Sequence, residues 1–144
     1  MSTPTNPDGK YVLTLPSDTY KINIITHTSG NAQYINYCDW VAYGQTLVKW
    51  KVESGKVSVE KDPSRITNSH CDVSLPTSKI STERVINSSF QFSHQRNSSS
   101  PIDNNLLNVS TLDVSDNLRI VILLADDTND RNYLDFQMVI VIYH

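Results

Sequence analysis

The sequence predicts an all-β fold, an antiparallel β-sandwich, and three observations predict it. Apolar and polar residues alternate over short runs, the period of a half-buried strand. No segment sustains a 3.6-residue apolar period with helix caps. Turn-forming residues interrupt the apolar runs at close intervals: glycine occurs only four times, so Asn, Asp, Ser and Pro carry the turns. About eight or nine short strands result, the pattern of a sandwich.

Residues 1–10 are polar, with two prolines, and are expected to form a flexible tail before a single domain over 11–144. Tyr11-Val12-Leu13-Thr14-Leu15 reads as a first strand, stopped by Pro16-Ser17-Asp18. From Tyr20 to Thr26 the chain alternates, with Tyr20, Ile22 and Ile24 on one face. Ser29-Gly30-Asn31 is a turn. Gln33 to Asp39 is the next strand, placing Tyr34, Asn36 and Cys38 opposite Ile35 and Tyr37. Thr46–Glu53 and Lys56–Glu60 pair as a hairpin across Ser54-Gly55, with Val48, Trp50 and Val52 on one side. Lys61 to Ser81 is less regular, and a strand is expected within Thr82 to Phe92. Ser93 to Asn105, containing Asn97-Ser98-Ser99-Ser100-Pro101, reads as a loop. Leu106–Leu112, Leu118–Ala125 and Leu134–Tyr143 close the domain.

The chain of 144 residues is long enough to bury a real core. Its net charge is −3 and its Lys and Arg form no cluster, which argues against nucleic acid as the partner. No apolar run approaches a membrane span of about 18 residues, so no membrane insertion is expected. The polar N-terminus lacks the basic and apolar regions of a signal peptide. Cytoplasmic synthesis is therefore expected, with release by another route if the protein acts outside a cell. The two cysteines, Cys38 and Cys71, lie in no C-x-x-C pair and are expected to be free thiols. Four histidines occur without a nucleophile elbow or H-E-x-x-H pattern, so no enzyme is expected.

One stretch stands out chemically. Asp126-Asp127-Thr128-Asn129-Asp130-Arg131-Asn132-Tyr133-Leu134-Asp135-Phe136 crowds four carboxylates and two Asn side chains between two apolar strands. Such oxygen density suits Ca²⁺, which takes six to eight hard-oxygen ligands. It also suits a solvated turn, because Asp and Asn bond their own backbone. Trp40, Tyr43 and Trp50 gather around Gly44, as either core or a flat surface for a sugar ring.

Trp40-Val41-Ala42-Tyr43-Gly44-Gln45-Thr46 followed by Lys49-Trp50, the block Lys61-Asp62-Pro63-Ser64-Arg65, and Ile120 to Asp126 with Asn132 resemble, in order and spacing, the LecA (PA-IL) family of bacterial lectins. That resemblance implies a jelly-roll-like, galactose-binding-domain-like sandwich that binds galactose or a related sugar of a glycoconjugate through Ca²⁺, with avidity from a homo-oligomer. It implies metal ligation by Tyr43 (through its carbonyl), Asp126, Asn129 or Asp130, and Asn132. It implies sugar contacts from Asp62, Arg65, Asp126, Asp127, Arg131 and Asn132. The sequence departs from the family at Arg131, where a second metal-binding Asn is usual, and at Asp62 and Arg65, which replace His and Gln; Arg cannot ligate a cation. A slighter resemblance, through Ser29-Gly30-Asn31 and Gly44 to Trp50, is to the PixA/AidA inclusion-body proteins. It implies instead a storage or self-assembling sandwich, joined through the exposed edge of the strand Met138–Ile142.

Overall fold

The structure, a computed structural model, describes residues 5–28, 34–42, 44–63, 65–76, 88–126 and 135–144. The strands are β1 (Thr5–Asn6), β2 (Lys10–Val12), β3 (Lys21–His27), β4 (Ile35–Ala42), β5 (Gln45–Glu53) and β6 (Lys56–Lys61), then β7 (Val73–Pro76), β8 (Ser89–Gln95), β9 (Asp103–Asn104), β10 (Leu106–Ser115), β11 (Leu118–Asp126) and β12 (Phe136–Tyr143). They form two antiparallel sheets, and no helix occurs among the described residues. The first sheet runs β1-β10-β11-β12-β3-β7 and the second β2-β8-β4-β5-β6, with β9 beside β8. The fold is the expected all-β sandwich.

Alternation fixes which residues meet between the sheets. Ile22 and Ile24 of β3, Val121, Leu123 and Ala125 of β11, and Phe136, Met138, Ile140 and Ile142 of β12 are buried from one side. Cys38, Trp40 and Ala42 of β4, Val48, Trp50 and Val52 of β5, and Phe90 and Phe92 of β8 are buried from the other. Both tryptophans are therefore core. Trp40 stacks on Phe90 at 5.3 Å between ring centroids, and its buried indole N–H donates to Ser88 Oγ at 2.8 Å. Trp50 donates its indole N–H to the Cys71 carbonyl at 2.8 Å. The cysteines are free thiols, Cys38 buried and Cys71 half-buried.

Four expectations need correction. Residues 5–10 are no loose tail: β1 pairs with β10, β2 pairs with β8, and Gly9 accepts from Phe92 N–H at 2.8 Å. Polarity alone suggested a tail, but polar residues serve equally well on an edge strand. The hairpin at Ser54-Gly55 stands, yet the segment from Ser93 to Asn105 is not one loop. β8 continues to Gln95 because Phe90 and Phe92 bury one face, and β9 adds a short rung at its side. Tyr20, read as the first residue of its strand, lies just before β3 and is half-exposed. Finally, β12 is interior, paired with β11 on one side and β3 on the other, so its edge cannot recruit another copy.

Candidate functional site

The sequence stretch richest in oxygen ligands joins two central strands. In the β11–β12 ladder the last registered pair is Ala125 with Phe136. Asp126 and Asp135 lie one residue further on, at the mouth of the hairpin. They are among the few buried charged side chains, 1% and 3% exposed. Asp126 is also in register with Leu106 of β10, and the Asp135 carbonyl accepts from Thr28 Oγ1 at 2.9 Å. Carboxylates are almost never this buried unless paired or ligating. Both make polar contacts within the protein.

A buried polar cluster stands beside this mouth. Asn105, which precedes Leu106, donates from Nδ2 to Asn36 Oδ1 at 2.9 Å. Its Oδ1 lies 2.6 Å from His94 Nδ1, so His94 carries its proton on Nδ1 and donates there. His94 stacks on Tyr34 at 5.5 Å. These contacts hold the start of β4 and the end of β8 against the end of the first sheet that carries Asp126.

The remaining candidates are dispersed. Asp62 organises its own turn. Its Oδ2 accepts from Thr67 Oγ1 at 2.6 Å and Thr67 N–H at 2.9 Å, and its Oδ1 accepts from Ile66 N–H at 3.1 Å. Burial opposes its ionisation, but these bonds and one from the Arg65 amide hold the carboxyl below the ordinary carboxylate range. Arg65 is exposed and left-handed, φ 50°. Thr67 bridges to Val73 on the outer side of β7. From there to β11 the path crosses β7, β3 and β12, four strand spacings or about 19 Å. The structure thus separates Asp62 and Arg65 from Asp126.

Tyr43, Asp127, Asn129, Asp130, Arg131 and Asn132 lie outside the described residues. The neighbours of position 43 are informative all the same. Ala42 pairs with Gln45 at the end of β4 away from Asn36, a run of six residues or about 20 Å. Asn36 is the end tied to Asn105 and so to the Asp126 side. Asp135 is the residue that sequence reasoning passed over. Its signal was symmetry: it flanks the oxygen-rich stretch from the second strand as Asp126 does from the first. Among the described residues no group of three or more His, Cys, Asp or Glu side chains is gathered as for a metal.

The class defined by this fold is a two-sheet sandwich with an oxygen-rich hairpin loop at one end. Comparison with solved structures places the same fold in bacterial lectins. The Chromobacterium violaceum lectin CV2L, solved with alpha-methyl-fucoside, is similar with a TM-score of 0.57 and 9% identity, over 93% of this chain and 95% of that one. The Ralstonia solanacearum high-affinity mannose-binding lectin gives 0.57 and 10%, over 92% and 94%. The C-terminal domain of the BC2L-C lectin from Burkholderia cenocepacia gives 0.59 and 12%, over 93% and 94%. No protein-family model and no curated protein sequence matches the chain significantly. The shared ground is the fold of bacterial lectins, and LecA is not singled out within it.

Proposed function

We propose that the protein is a non-enzymatic carbohydrate-binding lectin whose site is the loop between Asp126 and Asp135. One observation carries this reading: two buried aspartates bracket the oxygen-rich stretch between β11 and β12, each one residue beyond the last registered pair, on a sandwich shared with bacterial lectins. The donor set fits Ca²⁺. Asp126, the last residue of β11, and Asp135, just before β12, would supply carboxylate oxygens, and the sequence between them adds Asp127, Asn129, Asp130 and Asn132. When bound, such an ion accepts vicinal sugar hydroxyls. The protein's part is to hold the carboxylates in place and keep the site rigid. Tyr43, Asp62 and Arg65 take no part in this version of the site. Arg131 stays available for a sugar hydroxyl or an acidic substituent. A single shallow site binds weakly, so a homo-oligomer supplies avidity for glycoconjugates.

The sugar follows from test rather than from fold. Galactose comes from the sequence resemblance, fucose from the alpha-methyl-fucoside bound by the Chromobacterium violaceum lectin, and mannose from the mannose-binding lectin of Ralstonia solanacearum. Thermal melting with Ca²⁺ or chelator, each with methyl fucoside, mannose or galactose, decides among them. A ligand held only by the folded chain adds about 2.7 kcal/mol at a hundredfold excess over Kd. The expected result is a rise with Ca²⁺ and a further rise with one sugar only when Ca²⁺ is present, both lost in Asp126→Asn and Asp135→Asn. If no sugar shifts the melt under either condition, the lectin reading fails.

A further inference from the structure

The β3–β7 ladder carries a small pocket on the outer face of the first sheet, and its place follows from register. Asn23 of β3 pairs with Ser74 of β7, and Ile24 pairs with Val73. One step further, Ile25 comes beside Asp72, whose Oδ1 accepts from Thr26 N–H at 3.3 Å. On the far side of β7, Thr67 bridges to Val73. That brings Asn68 beside Asp72, and Asn68 N–H donates to the Asp72 carbonyl at 2.9 Å. Alternation turns Asn23, Ile25, Asn68, Asp72 and Ser74 to one face, opposite the buried Ile24 and Val73. These five side chains line a pocket of about 220 Å³.

The polar atoms left over there are a mixed set. Asn68 Oδ1 is occupied, accepting from His70 N–H at 2.8 Å and Asp72 N–H at 3.2 Å, which leaves Nδ2 as a donor. Asp72 keeps Oδ2 as an acceptor, bonded to nothing among the described residues. The Asn23 amide makes no hydrogen bond among them either, and its Oδ1 is buried. A buried amide is ordinarily bonded, and here no bond holds it in one orientation. Ser74 is exposed, and its hydroxyl both donates and accepts. Ile25, 47% exposed, adds an apolar flank. An ammonium group only donates, so it would leave the amide donors unmatched. One carboxylate is too few for a divalent cation. The hydroxyls of a sugar ring donate and accept together, and its C–H face meets Ile25. The volume is below the about 300–1,000 Å³ of drug-sized sites, room for one ring. We propose that this pocket is a second carbohydrate site, holding a single sugar ring without a metal. Thr28, which bonds the Asp135 carbonyl, lies three residues or about 10 Å along β3 from Ile25. The pocket shares no residue with the Asp126–Asp135 site and binds independently of it.

Amide chemical shifts of the ¹⁵N-labelled full chain, with chelator present, test it. The probes are the methyl glycosides of galactose, fucose, mannose and glucose at millimolar concentration, with butylammonium as the cationic control. At least one glycoside is expected to move the signals of Asn23, Asn68, Asp72 and Ser74, and butylammonium none of them. Asp72→Asn keeps the acceptor for Thr26 but removes the charge, and is expected to weaken binding at least about tenfold. Ser74→Leu fills the exposed rim and is expected to abolish it; that position is open enough for the variant to fold. Asp126→Asn is expected to leave these shifts intact, so failure of the calcium loop and failure of the pocket are told apart. The proposal is overturned if no glycoside moves these signals. It is equally overturned if the shifts survive both Asp72→Asn and Ser74→Leu, if they vanish with Asp126→Asn, or if butylammonium alone produces them.

Discussion

Asn105 and Asn36 lie 69 residues apart and share a buried hydrogen bond of 2.9 Å. It joins the point where the chain passes from β9, in the second sheet, to β10, in the first. The same Asn105 accepts from His94 and precedes the residue in register with Asp126. Replacing Asn105 with Ala strands a buried acceptor on Asn36 and a donor on His94, each costing about 1–3 kcal/mol. The expected outcome is a melting point lower by several degrees, measured by circular dichroism. If the hairpin mouth needs this brace, Ca²⁺ stabilisation weakens in the same variant.

Gly9 occupies φ +68°, and a Cβ there would lie 2.5 Å from the Phe92 carbonyl oxygen and 2.9 Å from that of Asn105. Both are backbone atoms and cannot swing away. Gly9→Ala is therefore expected to destabilise by at least about 2 kcal/mol, combining the left-handed backbone with the clash. Chemical denaturation measures it. A neutral result means that residues 5–10 are dispensable to the sandwich.

The Asp62 turn predicts an acid sensitivity whose sign is fixed. Its folded carboxyl is held below the ordinary range by Thr67, Ile66 and Arg65 against the opposing effect of burial. A depressed carboxylate contributes stability that is fully present above its unfolded pKa of about 4 and is lost as pH falls through the lower folded value. Asp62→Asn is expected to cost about 1 kcal/mol at neutral pH. The gap between parent and variant should close on acidification. Stability curves of the two proteins, from neutral down to acid pH, check this; a constant gap contradicts it.

The two thiols differ in reactivity for one physical reason. Burial pushes the Cys38 thiol well up, and the neighbouring Asp39 charge adds to it. Burial raises Cys71 too, with Asp72, but Lys56 opposes and the residue is partly exposed. Since the thiolate is the reactive form, iodoacetamide at mildly alkaline pH is expected to label Cys71 slowly in the native state. Cys38 should react only on unfolding. Peptide mass spectrometry over time distinguishes them.

The sheets were legible in the sequence wherever one face is buried. Val48, Trp50 and Val52, or Ile22 and Ile24, show their period directly, and Ser54-Gly55 announces its turn. Strands with little to bury were not legible. β1 and β9 are polar rungs whose pairing depends on distant partners, and no local pattern marks them, whereas β2 was read in part, from Tyr11 and Val12. The candidate site was half legible. Oxygen density pointed to the stretch after Asp126. Asp135 was hidden by the apolar residues around it, and only the register with Phe136 and Ala125 reveals it as the opposite post. Asp62 and Arg65 entered by alignment with other chains, and the turn that holds Asp62 is invisible without coordinates.

The interior place of β12 bears on how the chain comes to fold. β3 is made early, and its partner Phe136–Tyr143 more than a hundred residues later. Until that last strand emerges, the first sheet exists as two pieces, the β10–β11 hairpin and β3 with β7, each with an open edge. Closure must therefore wait until synthesis has passed Tyr143, through contacts of long sequence separation that form slowly. During that interval the apolar runs of β11 and β3 are at risk of pairing with another nascent chain.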